Sequence, residues 1–216
     1  MRMATLLLAL FVTLAGLALP AVPASAVSTN IVISEFRTRG PAGGNDEFIE
    51  LYNLSSAPVT IGGWKVNGSN NAGTTSTRAT ITAGIVLNPG CHYLLTNNAT
   101  GGYSGAVPGN QTYNTGITDD GGIALLTAAN VIVDQVGMST GSAYKEGTIL
   151  TPLTTNLDRG YERLPGGING SGQDTDNNVN DFHLVAPNAP ENLASACIAA
   201  TPADGTTWGA LKILYR

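Results

Sequence analysis

The run Asp174-x-Asp176-x-Asn178-x-Asn180 presents a side-chain oxygen at every second residue, and Asp181 adds one more. Calcium takes about six to eight oxygen ligands, often from loops of this kind. The run departs from an EF-hand, because Val179 stands where the glycine belongs and Val185 where the bidentate glutamate belongs. Asp174, Asp176, Asn178 and Asp181 are therefore candidate calcium ligands. The competing reading is a structural turn in which the same side chains accept backbone N–H groups. A second chemical candidate is Glu50, in Phe48-Ile49-Glu50-Leu51-Tyr52, where alternation puts it on the side of Phe48 and Tyr52. A half-buried carboxylate needs hydrogen bonds or a cation, and Arg163 is a candidate partner. Such a group either serves as a general acid or base or fixes strand register as an ion pair. The second reading is adopted, with Glu50 and Arg163 as structural residues.

His92 and His183 are the two histidines, and Cys91 and Cys197 the two cysteines. Zinc sites draw on such groups, but nothing in the spacing brings these four together. Gly102-Tyr103-Ser104-Gly105-Ala106 echoes a nucleophile elbow, yet no apolar strand leads directly into it and no helix follows. There is no glycine loop ending in lysine for phosphate. No constellation for nucleophilic or acid–base catalysis assembles, so the chain is expected not to be an enzyme. No cofactor is expected beyond the calcium candidate.

The elements that must position these residues are strands. With Gly 27 of 216 residues and only 12% charged, turn formers abound and straight-chain helix formers are scarce. Runs rich in β-branched residues recur at 31–36, 48–52, 59–66, 78–81, 85–87, 91–96, 123–127, 131–136, 161–163 and 182–185. Many short strands separated by turn residues indicate a β-sandwich or barrel. Ala128-Ala129-Asn130 reads as a hairpin turn. The polar stretches 67–77, 97–116 and 139–158 read as exposed loops, able to carry recognition on a rigid scaffold.

The first 26 residues have a positive start at Arg2, an apolar run from Leu6 to Leu19, and Ala24-Ser25-Ala26 before Val27. That is the pattern of a secretory signal peptide, and the apolar run falls short of the roughly 20 residues a bilayer span needs. The chain is expected outside the cytoplasm, extracellular or periplasmic, with no transmembrane segment after cleavage. In an oxidising compartment the even cysteine count suggests a Cys91–Cys197 disulfide, the alternative being two separate thiols. The formal net charge of −5 argues against direct binding to nucleic acid, whose phosphates call for excess cations. From residue 193 the chain reads as a linker. Thr207 could then cap a short helix with Trp208, Leu211 and Leu214 or Tyr215 on one side, ending at Arg216.

Three segments together resemble the lamin-tail domain family, in its secreted prokaryotic form. The first is Ile33-Ser34-Glu35-Phe36, then Asp46 to Asn53, then Ile61-Gly62-Gly63-Trp64. The second is Asp120 to Leu126 with Val133 to Gly137. The third is Tyr161-Glu162-Arg163, Asp174 to Asn178, Asp181-Phe182 and Pro187 to Asn192. The resemblance implies an immunoglobulin-like β-sandwich over 27–192, preceded by the signal peptide 1–26 and followed by the tail 193–216. It places Trp64 among the structural residues. It also implies a binding module for a protein or carbohydrate partner rather than a catalyst. Two other roles stand beside that one: an accessory module of a secreted hydrolase or nuclease, with calcium dependence as a variant of that role, and a structural component of an envelope or matrix.

Overall fold

The computed structural model describes residues 27–198. The expected signal peptide and the Trp208–Arg216 tail lie outside the described residues. Among the described residues twelve strands form: β1 (Ile31–Arg37), β2 (Phe48–Asn53), β3 (Val59–Thr60), β4 (Lys65–Ser69), β5 (Thr75–Thr80), β6 (Val86–Leu87), β7 (His92–Asn97), β8 (Gln111–Tyr113), β9 (Gly122–Leu126), β10 (Ile132–Gly137), β11 (Gly160–Arg163) and β12 (Phe182–Val185). One helical turn, α1 (Asn178–Asp181), precedes β12. A six-stranded sheet runs β12-β11-β1-β2-β7-β8, a four-stranded sheet β10-β9-β4-β5, and β3 pairs with β6. All pairings are antiparallel except β7 with β8. The expected immunoglobulin-like β-sandwich is the fold. Among the described residues, no helix is long and apolar enough to cross a membrane.

The inner faces meet in one core. Ile31, Ile33, Phe36, Ile49, Leu51, Tyr93 and Leu95 come from the large sheet, and Val66, Ile123, Leu125 and Val136 from the small one. Trp64 is partly buried against this core. The alternation of β2 is kept: Ile49 and Leu51 face inward, leaving Phe48, Glu50 and Tyr52 on the outside. The β9–β10 hairpin turns through Asn130, which takes the left-handed conformation at φ 64 that asparagine tolerates. The polar stretch 97–116, read as loop, holds β8, whose three residues pair with Leu95–Asn97.

β1 breaks the alternation. Its register against β2 slips between Ile33 and Glu35, so Ser34 is the extra residue of a bulge. Strict alternation would send Glu35 inward with Ile31 and Ile33. The bulge sends Phe36 inward instead and turns Glu35 to the outer face, directly opposite Glu50.

The outer face of β1, β2 and β7 is also buried, with Val32, Glu35, Glu50, Tyr52, His92 and Leu94 each 3% exposed or less. A strap formed by the chain after β12 covers it. Cys197 is bonded to Cys91, 106 residues away. The Ile198 N–H donates to the Gly90 carbonyl at 2.7 Å, and the Tyr52 hydroxyl donates to the Ile198 carbonyl at 2.7 Å. Leu193 and Asn192 add bonds to Asn110 and Pro108. The packed body thus runs past the expected Asn192 boundary to Ile198.

Candidate functional site

Register places a line of ionisable side chains across the outer face. His183 on β12 faces Glu162 on β11. Glu162 faces Glu35 on β1, and Glu35 faces Glu50 on β2. Like charges directly opposite one another on adjacent strands destabilise a sheet, so three carboxylates in a row need compensation. Part comes from the strap. The Asn188 amide donates to Glu35 Oε1 at 2.8 Å, and the Glu191 backbone N–H donates to Glu50 Oε2. The Ser34 hydroxyl of the bulge donates to Glu50 Oε1 at 2.5 Å. The strap also adds a further carboxylate, Glu191, beside Glu50. At the far end His183 Nε2 lies 3.4 Å from Glu162.

The electrostatic result is a group of acids that resist ionising. Burial, then the nearby Glu162 and Glu191 charges, push Glu35 up to about 7 despite the Asn188 bond. Burial and the Glu191 and Glu35 charges hold Glu50 well above the usual carboxylate range. Burial and Glu162 raise Glu191 as well, against a side-chain hydrogen bond with Glu50. His92, 3% exposed, is pushed by burial down to about 4 and is neutral at neutral pH. Its ring packs on Tyr52 with centroids 4.9 Å apart. Its Nε2 is 3.7 Å from Glu50 Oε1, beyond hydrogen-bonding reach, and its Nδ1 is buried without a hydrogen bond. Elsewhere on β2's approach, burial raises Glu47 to about 7, against hydrogen bonds from Asn97, the Ile117 N–H and Tyr113.

The partner expected for Glu50 serves another residue. Arg163 points into the sandwich, where Nη2 donates to both oxygens of Asp134 on β10 at 2.9 and 2.7 Å. Its Nε donates to the Ile33 carbonyl and its Nη1 to the Gln173 carbonyl. Asp134 Oδ2 also accepts the Ile33 N–H, so this ion pair ties the two sheets together at the β1 bulge. Sequence reading missed Asp134, although an acid inside Val131 to Val136 carries the same signal that singled out Glu50. It also missed Glu35 and Glu191, which only the bulge and the strap bring to the row.

The proposed calcium run folds as a turn around Asp181. Its carboxylate accepts the Thr175 N–H and hydroxyl and the Asn177 N–H. Asn178 Oδ1 accepts the N–H groups of Gly137 and Glu146, far from that turn in sequence. Asp174 accepts the N–H of Asp176 and of Ser28, and lies 3.7 Å from Arg163. Asp174 approaches Asp134 and Glu146 within 4.8 Å. Cys91 and Cys197 are joined to each other, which removes both as thiolate ligands. Ser104 donates its hydroxyl to Asp46 at 2.6 Å.

Among the concavities of the described residues, two bear on this scaffold's surface chemistry. One, of about 300 Å³, sits beside the row under Asn188 to Pro190 and is lined by Arg37, Phe48 and Tyr103. Arg37 there is already paired with Asp46 and Asp158. The other, of about 330 Å³, opens where the sheet edges β5 and β8 meet, among Arg78, Thr80, Asn98, Gln111, Thr112 and Asn114. Gln111 joins the two edges, donating to the Thr80 carbonyl at 2.8 Å and accepting the Thr82 N–H at 3.0 Å.

Comparison with known proteins adds the following. The family model described as Lamin Tail Domain matches residues 24–140. That span takes in Glu35, Glu50, His92 and Asp134, while Glu162, Arg163 and the strap lie beyond it. No curated protein matches the chain. Among solved structures, a DUF4876 family protein from Bacteroides thetaiotaomicron is similar at 12% identity and a TM-score of 0.46, over 83% of this chain and 74% of that one.

Proposed function

The chain belongs to the Lamin Tail Domain family, and from that premise we propose that it is an exported, non-enzymatic recognition module for a carbohydrate or protein outside the cytoplasm. The observation that carries this reading is the groove between β5 and β8. Its lining is mostly neutral amides and hydroxyls, with one guanidinium, Arg78. Such groups recognise a partner through many hydrogen bonds of moderate strength and offer no nucleophile paired with a base. The groove rests on two sheets fixed to one another, so its geometry is preorganised. Export is supported by the leader pattern and by a Cys91–Cys197 disulfide of the kind that persists in oxidising compartments.

The test is a binding screen of the purified chain against soluble polysaccharides and cell-surface extracts. An Asn98→Ala/Asn114→Ala double variant, which alters two groove residues on loops, serves as the comparison. The expected result is a ligand whose affinity falls at least tenfold in the double variant while the unfolding temperature stays put. Robust turnover of nuclease, phosphatase or esterase substrates would overturn the non-enzymatic reading. Ligand binding that ignores the double variant would move recognition away from this groove.

A further inference from the structure

We propose that Glu50, His92 and Glu191 form a binding site for a divalent transition-metal cation of the zinc class, seated between the sheet and the strap. One ligand atom from each of the three lies within 4.8 Å of those of the other two. The Nε2 of His92 is 3.7 Å from Glu50 Oε1. Two ligands on one tetrahedral ion stand about 3.4 Å apart at bond lengths near 2.1 Å, so a small closing movement suffices.

His92 supplies the second, independent observation. It is 3% exposed, its Nδ1 is buried with no hydrogen bond, and Nε2 faces Glu50 at a distance too long for one. The buried Nδ1 forfeits its desolvation without a bond in return. Coordination falls to Nε2, the nitrogen that faces Glu50, with the ring proton held on Nδ1. Glu50 accepts bonds from Ser34 and from the Glu191 N–H, and its carboxyl also shares a hydrogen bond with the Glu191 side chain; a bound cation would displace that shared proton to solvent, and a carboxylate offers about four lone-pair positions. Two carboxylates neutralise a dication, and Glu35 stands opposite Glu50 in reserve.

The donor set selects the metal. Imidazole suits zinc and its transition-metal neighbours, whereas calcium and magnesium take oxygen ligands. Three protein ligands leave a fourth position for water or a ligand. Two ligands come from the sheet and the third from the strap. The ion would therefore fasten the strap at its middle, as Cys91–Cys197 fastens it near its end. This inference does not depend on the groove assigned above.

The test is calorimetric titration of chelator-stripped protein with zinc chloride at pH 7.5, repeated with calcium chloride. We expect one zinc per chain and no calcium uptake at this site. Glu191→Gln and His92→Gln should each weaken zinc at least tenfold. His183→Gln, which removes the other histidine near a carboxylate, should leave zinc affinity unchanged. Glu191 lies on the half-exposed strap, so Glu191→Gln reports even if His92→Gln fails to fold. Absence of stoichiometric zinc, unchanged affinity in Glu191→Gln, or loss of binding in His183→Gln would each overturn the proposal.

Discussion

The two faces of β1 bury charge in opposite ways. On the inner side, Asp134 is matched by Arg163, and both are further bound by the backbone of Ile33. On the outer side, Glu35 and Glu50 lie opposite one another with Glu191 above, and no arginine or lysine is placed among them. The first cluster is complete as protein. Even there burial raises Asp134 above the usual carboxylate range, against the Arg163 charge. The second cluster is closed by amides, a hydroxyl and protons, and it favours the uncharged forms. A buried carboxylate thus reads as structural where its counterion is built in. Where the counterion is missing, the same residue type marks a place that a proton or a cation can fill.

The sharpest way to break this comparison is to remove the built-in counterion. Arg163→Met should leave Asp134 buried and unpaired and cost about 3–5 kcal/mol, read from urea unfolding. A loss under about 1 kcal/mol would mean that the inner cluster is no more complete than the outer one. Next in size is the strap's anchor. Replacing Cys91 and Cys197 together by serine should cost about 2–5 kcal/mol, because the bond closes a long loop in the unfolded chain.

The buried acids that lack a cation sharpen the contrast through pH. Glu35 and Glu47, both held near 7, keep their protons in the native state after the unfolded chain has released its own near 4.5. The native state then binds more protons, so their contribution is full below about pH 4.5 and fades as pH rises towards 7. His92, held near 4, acts in the reverse sense between about 4 and 6.5. The acids outnumber it. In EDTA the unfolding temperature should therefore peak near pH 5 and decline by pH 8. Glu50→Gln should raise stability at pH 8 and change it less at pH 5, because burial and the Glu191 and Glu35 charges hold the Glu50 carboxyl above the usual range. A decline of equal size in that variant would show that Glu50 is not one of the strained acids. The smallest expected effect concerns Asp174 to Asp181. Its main oxygens already accept N–H groups, so millimolar calcium should leave the unfolding temperature unmoved. An upward shift of several degrees would restore the run as a metal site.

Much of the fold is legible in the sequence because strands announce themselves by alternation and β-branching, as at Phe48 to Tyr52 and Val131 to Val136. The cysteine pair is legible from its count and the leader. What escapes is whatever depends on a single-residue irregularity or on topology. The bulge at Ser34 has no compositional mark, so alternation sends Glu35 to the wrong face. β8 is three residues of mixed polarity, too short to show a period. Asp134 and Arg163 meet because strands from different sheets face each other, which local patterning does not encode. Glu191 enters the row only because a segment that looks like loop crosses the sheet. Glu50 is visible as an anomaly in its strand, but its neighbours are not.

The strap also sets how the molecule would carry load. A pull applied beyond Ile198 reaches the sheet through the Cys91–Cys197 bond, at the entrance to β7, the penultimate strand of the large sheet. The hydrogen bonds at Glu50 and Glu35 lie upstream of that junction, so tension bypasses them while the bond is intact. Under reducing conditions the same pull would peel the strap open one contact at a time, from Ile198 back towards Asn188. One covalent bond thus decides whether a downstream attachment is anchored as a rivet or as a zipper.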